Sequence, residues 1–294
     1  MDVQSIVLLL WTQSHSLQLG RLSRNVTREA CGYLTWSQSF IPVVNGSVLQ
    51  VHDLKDGAVR RSTLAVNLTD GCKFVVLTSA VVMCLGHNPP AQDVFYMDPV
   101  QSTLVQKAPL LVARSSPGVI LQQRHVYVFG GNWPSIRQCE KYSLTTSQWQ
   151  PLPDSLYPLF AFTPCAYKDT ILLPDIRQEA KHFEVFHLKS EQFTELSVAM
   201  PFSDTASTAF VDGEDLVLIT SHGQLGRWRL FSPQGFDVQR FAKENPSQAY
   251  CTSQPVRKGR KVLWGAYLSC DLGAFDLDSL EVTLPNTRTS LSND

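Results

Sequence analysis

The sequence has no excess of charge of either sign and no long apolar run. Its 294 residues include 25 Lys+Arg and 26 Asp+Glu, a formal net charge of -1 at pH 7. This balance gives no electrostatic footprint for a nucleic acid or an anionic membrane, so neither is expected as a partner. The apolar stretch at residues 5–11 is far shorter than the roughly 20 residues that span a bilayer.

Cysteine is sparse and carries no metal-binding pattern. The seven cysteines are an odd number, and no two of them have the C-x-x-C spacing, which argues against a zinc knuckle or a redox motif. Buried thiols in a reducing compartment are the expected state, and the cytoplasm is the predicted location. Secretion is the alternative, because Asn25, Asn45 and Asn67 each begin an N-x-S/T sequon.

Motifs for catalysis or cofactor binding are also missing. The sequence contains no G-x-S-x-G, no Walker-type phosphate loop, no H-E-x-x-H and no EF-hand loop. His182 and His187 are the nearest histidine pair, and five residues apart on a strand they point to opposite faces. We therefore predict no catalytic residue, no metal and no cofactor, and we do not expect an enzyme.

The sequence does contain a repeat, and its clearest copy spans residues 113–153. Two apolar strands at 119–121 and 126–129 flank a polar turn, and the second strand runs into Gly130-Gly131. A third strand ends at Tyr142, and a fourth opens at Trp149. Short apolar runs separated by turn residues predict sequential antiparallel strands.

The seven-residue spacing between Tyr142 and Trp149 locates the other copies. The first residues of the six pairs are 43 to 46 positions apart: Val51, Met97, Tyr142, Phe186, Arg229 and Phe275. One four-stranded unit cannot cover both sides of its own sheet, whereas a ring of such units can. We predict an all-β fold, a six-bladed β-propeller with four antiparallel strands per blade over residues 30–285. We predict an N-terminal extension at residues 1–29, which is a candidate for closing the ring. Residues 286–294 are predicted to form a C-terminal tail.

One segment permits a different interpretation. Residues 175–200 contain no Gly or Pro, and their propensity alone would allow a helix. The repeat register instead predicts a third strand at 183–188 and a fourth strand from Phe193.

The unit at 113–153 resembles the kelch motif. Arg114, Gly130, Gly131, Tyr142 and Trp149 match the family's arginine, double glycine, tyrosine and tryptophan, and the other copies are degenerate. The resemblance implies a kelch-like propeller in which these five residues are structural. We expect Trp149→Ala to reduce the free energy of unfolding by about 3–5 kcal/mol, the range for a large core truncation.

The resemblance also indicates where a partner would bind. In kelch-like propellers the loops between the second and third strands protrude on one face and often contact partners. Exposed Trp and Arg are frequent anchors of protein interfaces. The predicted partner-binding residues are Trp133, Arg137, His87, Arg177, His222 and Tyr267.

The resulting hypothesis is a non-catalytic, monomeric scaffold that binds a protein partner of unknown identity. The alternative is an enzyme or carbohydrate-binding propeller with a site at the mouth of the central channel. The side chains that line the channel distinguish the two, because convergent charged groups would favour chemistry.

Overall fold

A computed structural model describes residues 40–68, 71–78, 80–132, 134–174, 183–196, 198, 206–220, 224–232, 234–235, 237–240, 253–265, 272–279 and 282–283. All of them lie in one unit of the chain, residues 38–294. The proposed extension at 1–29 and the tail at 286–294 fall outside the described residues.

Twenty strands form five antiparallel sheets of four, each with its strands in chain order. We call these sheets blades A to E. Blade A contains β3 (Lys73–Thr78), β4 (Val81–Leu85), β5 (Val94–Met97) and β6 (Leu104–Gln106). Blade B contains β7 (Gly118–Gln122), β8 (His125–Phe129), β9 (Cys139–Ser143) and β10 (Gln148–Leu152). Blade C contains β11 (Cys165–Tyr167), β12 (Thr170–Leu173), β13 (Phe183–His187) and β14 (Gln192–Leu196). Blade D contains β15 (Ala206–Asp212), β16 (Asp215–Thr220), β17 (Gln224–Arg229) and β18 (Asp237–Arg240). Blade E contains β19 (Val256–Lys258), β20 (Lys261–Gly265), β21 (Leu272–Asp276) and β22 (Val282–Thr283).

A sixth sheet precedes the blades and has two described strands, β1 (Phe40–Asp53) and β2 (Val59–Leu68). In this sheet His52 lies opposite Val59, seven residues later in the chain. Tyr142 of β9 and Trp149 of β10, which also lie opposite each other, have the same spacing. The prediction of four-stranded antiparallel blades is confirmed, but the described residues form five such blades and not six. The two-stranded sheet begins at Phe40, and the residues before it fall outside the described residues.

Apolar clusters fill the boundaries between neighbouring sheets and connect them in a ring. Each blade packs on the next, as Tyr142 of blade B does against Met83 of blade A. The ring closes through the two-stranded sheet. On one side Ile41 packs with Leu263 of blade E, and on the other Leu49 packs with Cys84 of blade A. Burial of these faces is the main driving force for assembly, since no sheet can cover both of its own faces.

β1 contacts both of its neighbours because it changes face along its length. Ile41 and Val43 face blade E, whereas Leu49 and Val51 face blade A. Side chains two apart on a regular strand point the same way, so the change requires a break in register. The pairing with β2 shifts between Gly46 and Val48, as a β-bulge does.

Blade C shows why residues 183–196 form strands and not a helix. In β13, Phe183 and Val185 pack towards blade D. Phe186 lies on the opposite side of the strand and packs towards blade B. This two-residue period buries apolar side chains on both faces of the sheet.

Candidate partner-binding face

The antiparallel order places two kinds of loop on the same side of the ring. The second and fourth strands of a blade end where its first and third strands begin. The loops between second and third strands therefore share a face with the connections that lead from one blade to the next. We call this side the loop face. The first strands β3, β7, β11 and β15 contact one another in sequence, so they lie nearest to the centre of the ring.

A buried ion pair fixes the connection between blades A and B. Arg114 Nε lies 2.8 Å from Glu140 Oε1, and both side chains are 1% exposed. A second nitrogen of the Arg114 guanidinium donates to the carbonyls of Gly130 and of Gln138, the latter at 2.8 Å. Arg114 thus joins the connection to the second and third strands of blade B, and its buried charge is paired with Glu140.

The double glycine allows the next connection to approach closely. Gly130 and Gly131 have φ angles of +58° and +112°, and the Gly131 amide donates to the Leu159 carbonyl at 2.8 Å. A Cβ at Gly130 would lie 2.3 Å from that same oxygen. Both the conformation and the contact require glycine.

Tyr142 and Trp149 join blade B to blade A. Their ring centroids are 4.9 Å apart, and the Tyr96 hydroxyl of blade A donates to the Tyr142 hydroxyl at 3.3 Å. The Trp149 indole donates to the Ala108 carbonyl at 2.9 Å. Tyr142 is buried and Trp149 is half-buried. The aromatic pair therefore packs within a blade and also reaches its neighbour.

Two glutamates that our sequence reasoning missed repeat one arrangement in successive blades. Glu140 Oε2 accepts the Leu111 amide at 2.8 Å. Glu184, 44 residues later, accepts the amides of Leu156 and Tyr157 at 2.9 and 2.8 Å. Both glutamates are buried. A signal was present in the sequence, because each Glu lies two residues before an aromatic anchor of the repeat.

The same arrangement directs an apolar side chain into solvent. Leu111 is 47% exposed and Leu156 is 39% exposed, although the backbone amide of each is held by a buried carboxylate. Each leucine lies in the connection that precedes a new blade, so both lie on the loop face.

Arg137 adds a charge beside Leu156. It is exposed, and its Nε donates to the Ser155 carbonyl at 2.6 Å. The Ser155 amide donates in return to the Arg137 carbonyl at 3.0 Å. This double connection fixes a guanidinium next to an exposed leucine, an arrangement that suits a protein interface.

The remaining predicted partner-binding residues have other placements. His87 is 9% exposed, and its Nε2 is buried without a hydrogen-bond partner in the described part of the chain. Burial lowers the pKa of its imidazole, and the nearby Asp93 carboxylate partly opposes this. Trp133, Arg177, His222 and Tyr267 lie outside the described residues.

A cavity of about 10 Å³ lies near the beginnings of the first strands of blades A, B, C and E. Its described lining contains one cationic side chain and no carboxylate: Lys73, Phe74, Val119, Phe162, Thr163, Pro164, Ser253 and Gln254. This volume holds about one water molecule. Within the described ranges, His, Cys, Asp and Glu side chains form no group of three that could hold a metal ion.

Comparisons with known proteins agree with this architecture. The model of the kelch motif matches residues 113–155. A solved structure described as "Structure of YjhT" has a TM-score of 0.62 at 12% identity, over 85% of this chain and 97% of the other. A search of curated protein sequences gives no match. In total 1247 chains of solved structures match, so the fold is too common to select a function. The chain therefore carries a kelch motif at residues 113–155, within a β-propeller of antiparallel four-stranded blades.

Across the described residues we find no helix of the length and apolarity needed to cross a membrane.

Proposed function

We propose that this β-propeller is a non-catalytic interaction module that binds a protein partner through its loop face. The proposal includes a monomeric, cytoplasmic protein that does not bind nucleic acid or membranes. Arg137 belongs to the proposed surface, and so do Trp133, Arg177, His222 and Tyr267, which were selected from the sequence alone. His87 would contribute by supporting the loop from below, because its ring is buried.

The exposed leucines with Arg137 carry the proposal. Leu111 and Leu156 repeat at equivalent places in two successive connections, and buried glutamates hold the backbone of both. A backbone that is already ordered loses little conformational entropy on binding, which favours affinity. Leucine and arginine side chains on such a backbone provide apolar area together with a charged hydrogen-bond donor.

The rival function, an enzyme or a carbohydrate-binding protein, would need room at the channel mouth. Ligand pockets usually enclose about 300–1,000 Å³, whereas the cavity near the beginnings of the first strands measures about 10 Å³. Among its described lining residues only Lys73 is charged, so the described part of the chain brings no pair of ionisable groups together at this cavity. These observations support the interaction module over the rival.

The proposal extends to the number of blades. We regard the two-stranded sheet as the third and fourth strands of a sixth blade, because it occupies the place between blades E and A. The seven-residue pairing of His52 with Val59 supports this assignment.

Quantitative affinity capture tests the function. The full chain would be immobilised as wild type, as the double variant L111D/L156D, as R137A and as V100D. Val100 is the matched control, because it is 62% exposed and lies in the turn between β5 and β6, on the face opposite the loops. Thermal melts would first establish that all four proteins fold.

The expected result is a set of proteins captured equally by wild type and V100D and lost from L111D/L156D. R137A should reduce capture of the same proteins. If the double variant captures all of them as well as wild type does, the loop face is not the binding surface.

A further inference from the structure

A small cavity lies between blades D and E, away from the loop face. Its volume is about 70 Å³, and it is lined by apolar and by charged side chains: Asp212, Val217, Leu225, Arg227, Asp237, Phe275 and Leu277. Asp212 ends the first strand of blade D and Asp237 begins its fourth strand. Both ends lie on the side of the ring opposite the loops.

The floor of the cavity is apolar. Val217, Leu225 and Phe275 are buried, and Leu277 packs beside them. A water-sized group needs about 10–15 Å³, so the cavity of about 70 Å³ admits about five such groups. Four methylene groups and one terminal nitrogen have this size.

The rim leaves one negative charge without a counterion. Arg227 is bound by Asp215, with Nε 2.7 Å from Oδ2, and Asp212 is bound by Arg257 at 2.7 Å across the blade boundary. Asp237 lies directly opposite Arg227 in the sheet. No hydrogen bond or ion pair connects its carboxylate to the part of the chain that the structure describes.

We propose that this cavity binds a lysine side chain of a protein partner. The four methylenes would lie on Val217, Leu225 and Phe275, and the ammonium group would pair with the Asp237 carboxylate. A compact ammonium group on a flexible four-carbon stem suits a small cavity better than a planar guanidinium, whose fork must meet both carboxylate oxygens in one plane. Long cationic side chains commonly bury their stems in this way while the charge stays at the surface.

This site is separate from the loop face, and its test does not require the partner of that face. The probe is n-butylammonium, which reproduces the end of a lysine side chain. Two matched compounds separate charge from apolar contact: 1-butanol, which is neutral, and n-pentanoate, which is negative. Binding to the full chain would be followed by NMR through the backbone amides of residues 217, 225 and 275.

We expect saturable shifts at these amides with n-butylammonium, about fivefold weaker binding of 1-butanol, and no binding of n-pentanoate. A fivefold difference corresponds to about 1 kcal/mol, the upper end for an exposed ion pair. D237N should reduce the affinity for n-butylammonium to that for 1-butanol. L277W, which enlarges a half-buried residue of the cavity lining, should abolish binding of n-butylammonium and of 1-butanol.

Two results would overturn the proposal. Equal binding of n-pentanoate and n-butylammonium would remove the role of Asp237, and undiminished binding to L277W would place the ligand elsewhere. If L277W does not fold, D237N decides, because Asp237 is exposed and its replacement leaves the packing unchanged.

Discussion

Arg114 and Glu140 form an ion pair of 2.8 Å in which each side chain is 1% exposed. The two residues are 26 positions apart in the chain and belong to the start and the third strand of one kelch repeat. Removing one partner would leave the other as an uncompensated buried charge, and that cost exceeds what the pair itself contributes.

The first prediction concerns this pair. Arg114→Ala should lower the free energy of unfolding by about 3–5 kcal/mol, as expected when one member of a buried ion pair is removed. Urea denaturation monitored by tryptophan fluorescence measures the change. Lys189→Ala is the control, because Lys189 and its partner Asp169 are 85% and 62% exposed, and no measurable change is expected there. Equal stability of R114A and wild type would contradict the structural role.

The second prediction compares two glycines with positive φ. Gly130→Ala should cost about 3 kcal/mol or more, since it combines left-handed backbone strain with a contact of 2.3 Å to the Leu159 carbonyl oxygen. Gly57→Ala, at φ +76° with no atom within 4 Å of the added Cβ, should cost only about 1 kcal/mol. Thermal melts of the two variants measure the difference, and similar losses would show that the Leu159 contact is unimportant.

A third prediction separates the two functions of Trp149. Trp149→Phe should lose about 1 kcal/mol, because it removes the hydrogen bond to the Ala108 carbonyl and keeps most of the ring. Trp149→Ala should lose about 3 kcal/mol, the lower end of the range for a large aromatic truncation, because the ring is only half-buried. Chemical denaturation of both variants tests this order. A loss below 1 kcal/mol for the alanine variant would exclude a packing role.

Stability should also depend on pH through His87. Burial lowers the pKa of its imidazole below the ordinary value of about 6.5. The unfolded chain then binds the proton more readily, so the contribution of the neutral ring is complete above pH 6.5 and is lost as the pH falls below it. Urea titrations at pH 7.5, 6.5 and 5.5 should show falling stability, with a smaller decline in H87N. Burial also lowers the pKa of His125, so part of the decline should persist in that variant.

The buried thiols provide a fifth prediction. Burial raises the pKa of both Cys72 and Cys139 to about 12, so almost no thiolate forms at pH 8. Iodoacetamide should leave these two residues unmodified in the folded protein and alkylate them fully in urea. Peptide mass spectrometry resolves each site, and rapid alkylation of Cys139 in the native state would contradict its burial.

Much of the architecture was predictable because it depends on local register. The seven-residue spacing in the sequence proves to be the distance between directly paired residues of the third and fourth strands. This holds for Tyr142 with Trp149 and for Phe186 with Phe193. Arg229 was a poorer anchor, because in blade D a longer turn pairs Arg227 with Asp237 instead.

The surface was harder to predict, because it depends on contacts between blades. Leucine is usually a core residue, yet the side chains of Leu111 and Leu156 are exposed while their backbone amides donate to the buried Glu140 and Glu184. His87 was expected on the rim, yet the loop that carries it folds inwards and donates its amide to the Arg114 carbonyl at 2.9 Å. Such long-range contacts leave no periodic signal in the sequence.

The paired glutamates also affect how the loop face can evolve. Each connection is held by its backbone amides, so the identity of the residue that supplies the amide matters little for folding. Mutation can therefore explore side chains at positions 111 and 156 with little effect on stability, while the glutamates are constrained. Under the proposed function, specificity for a partner and stability of the ring would then be nearly independent traits, so a diverged repeat could acquire new partners without losing its fold.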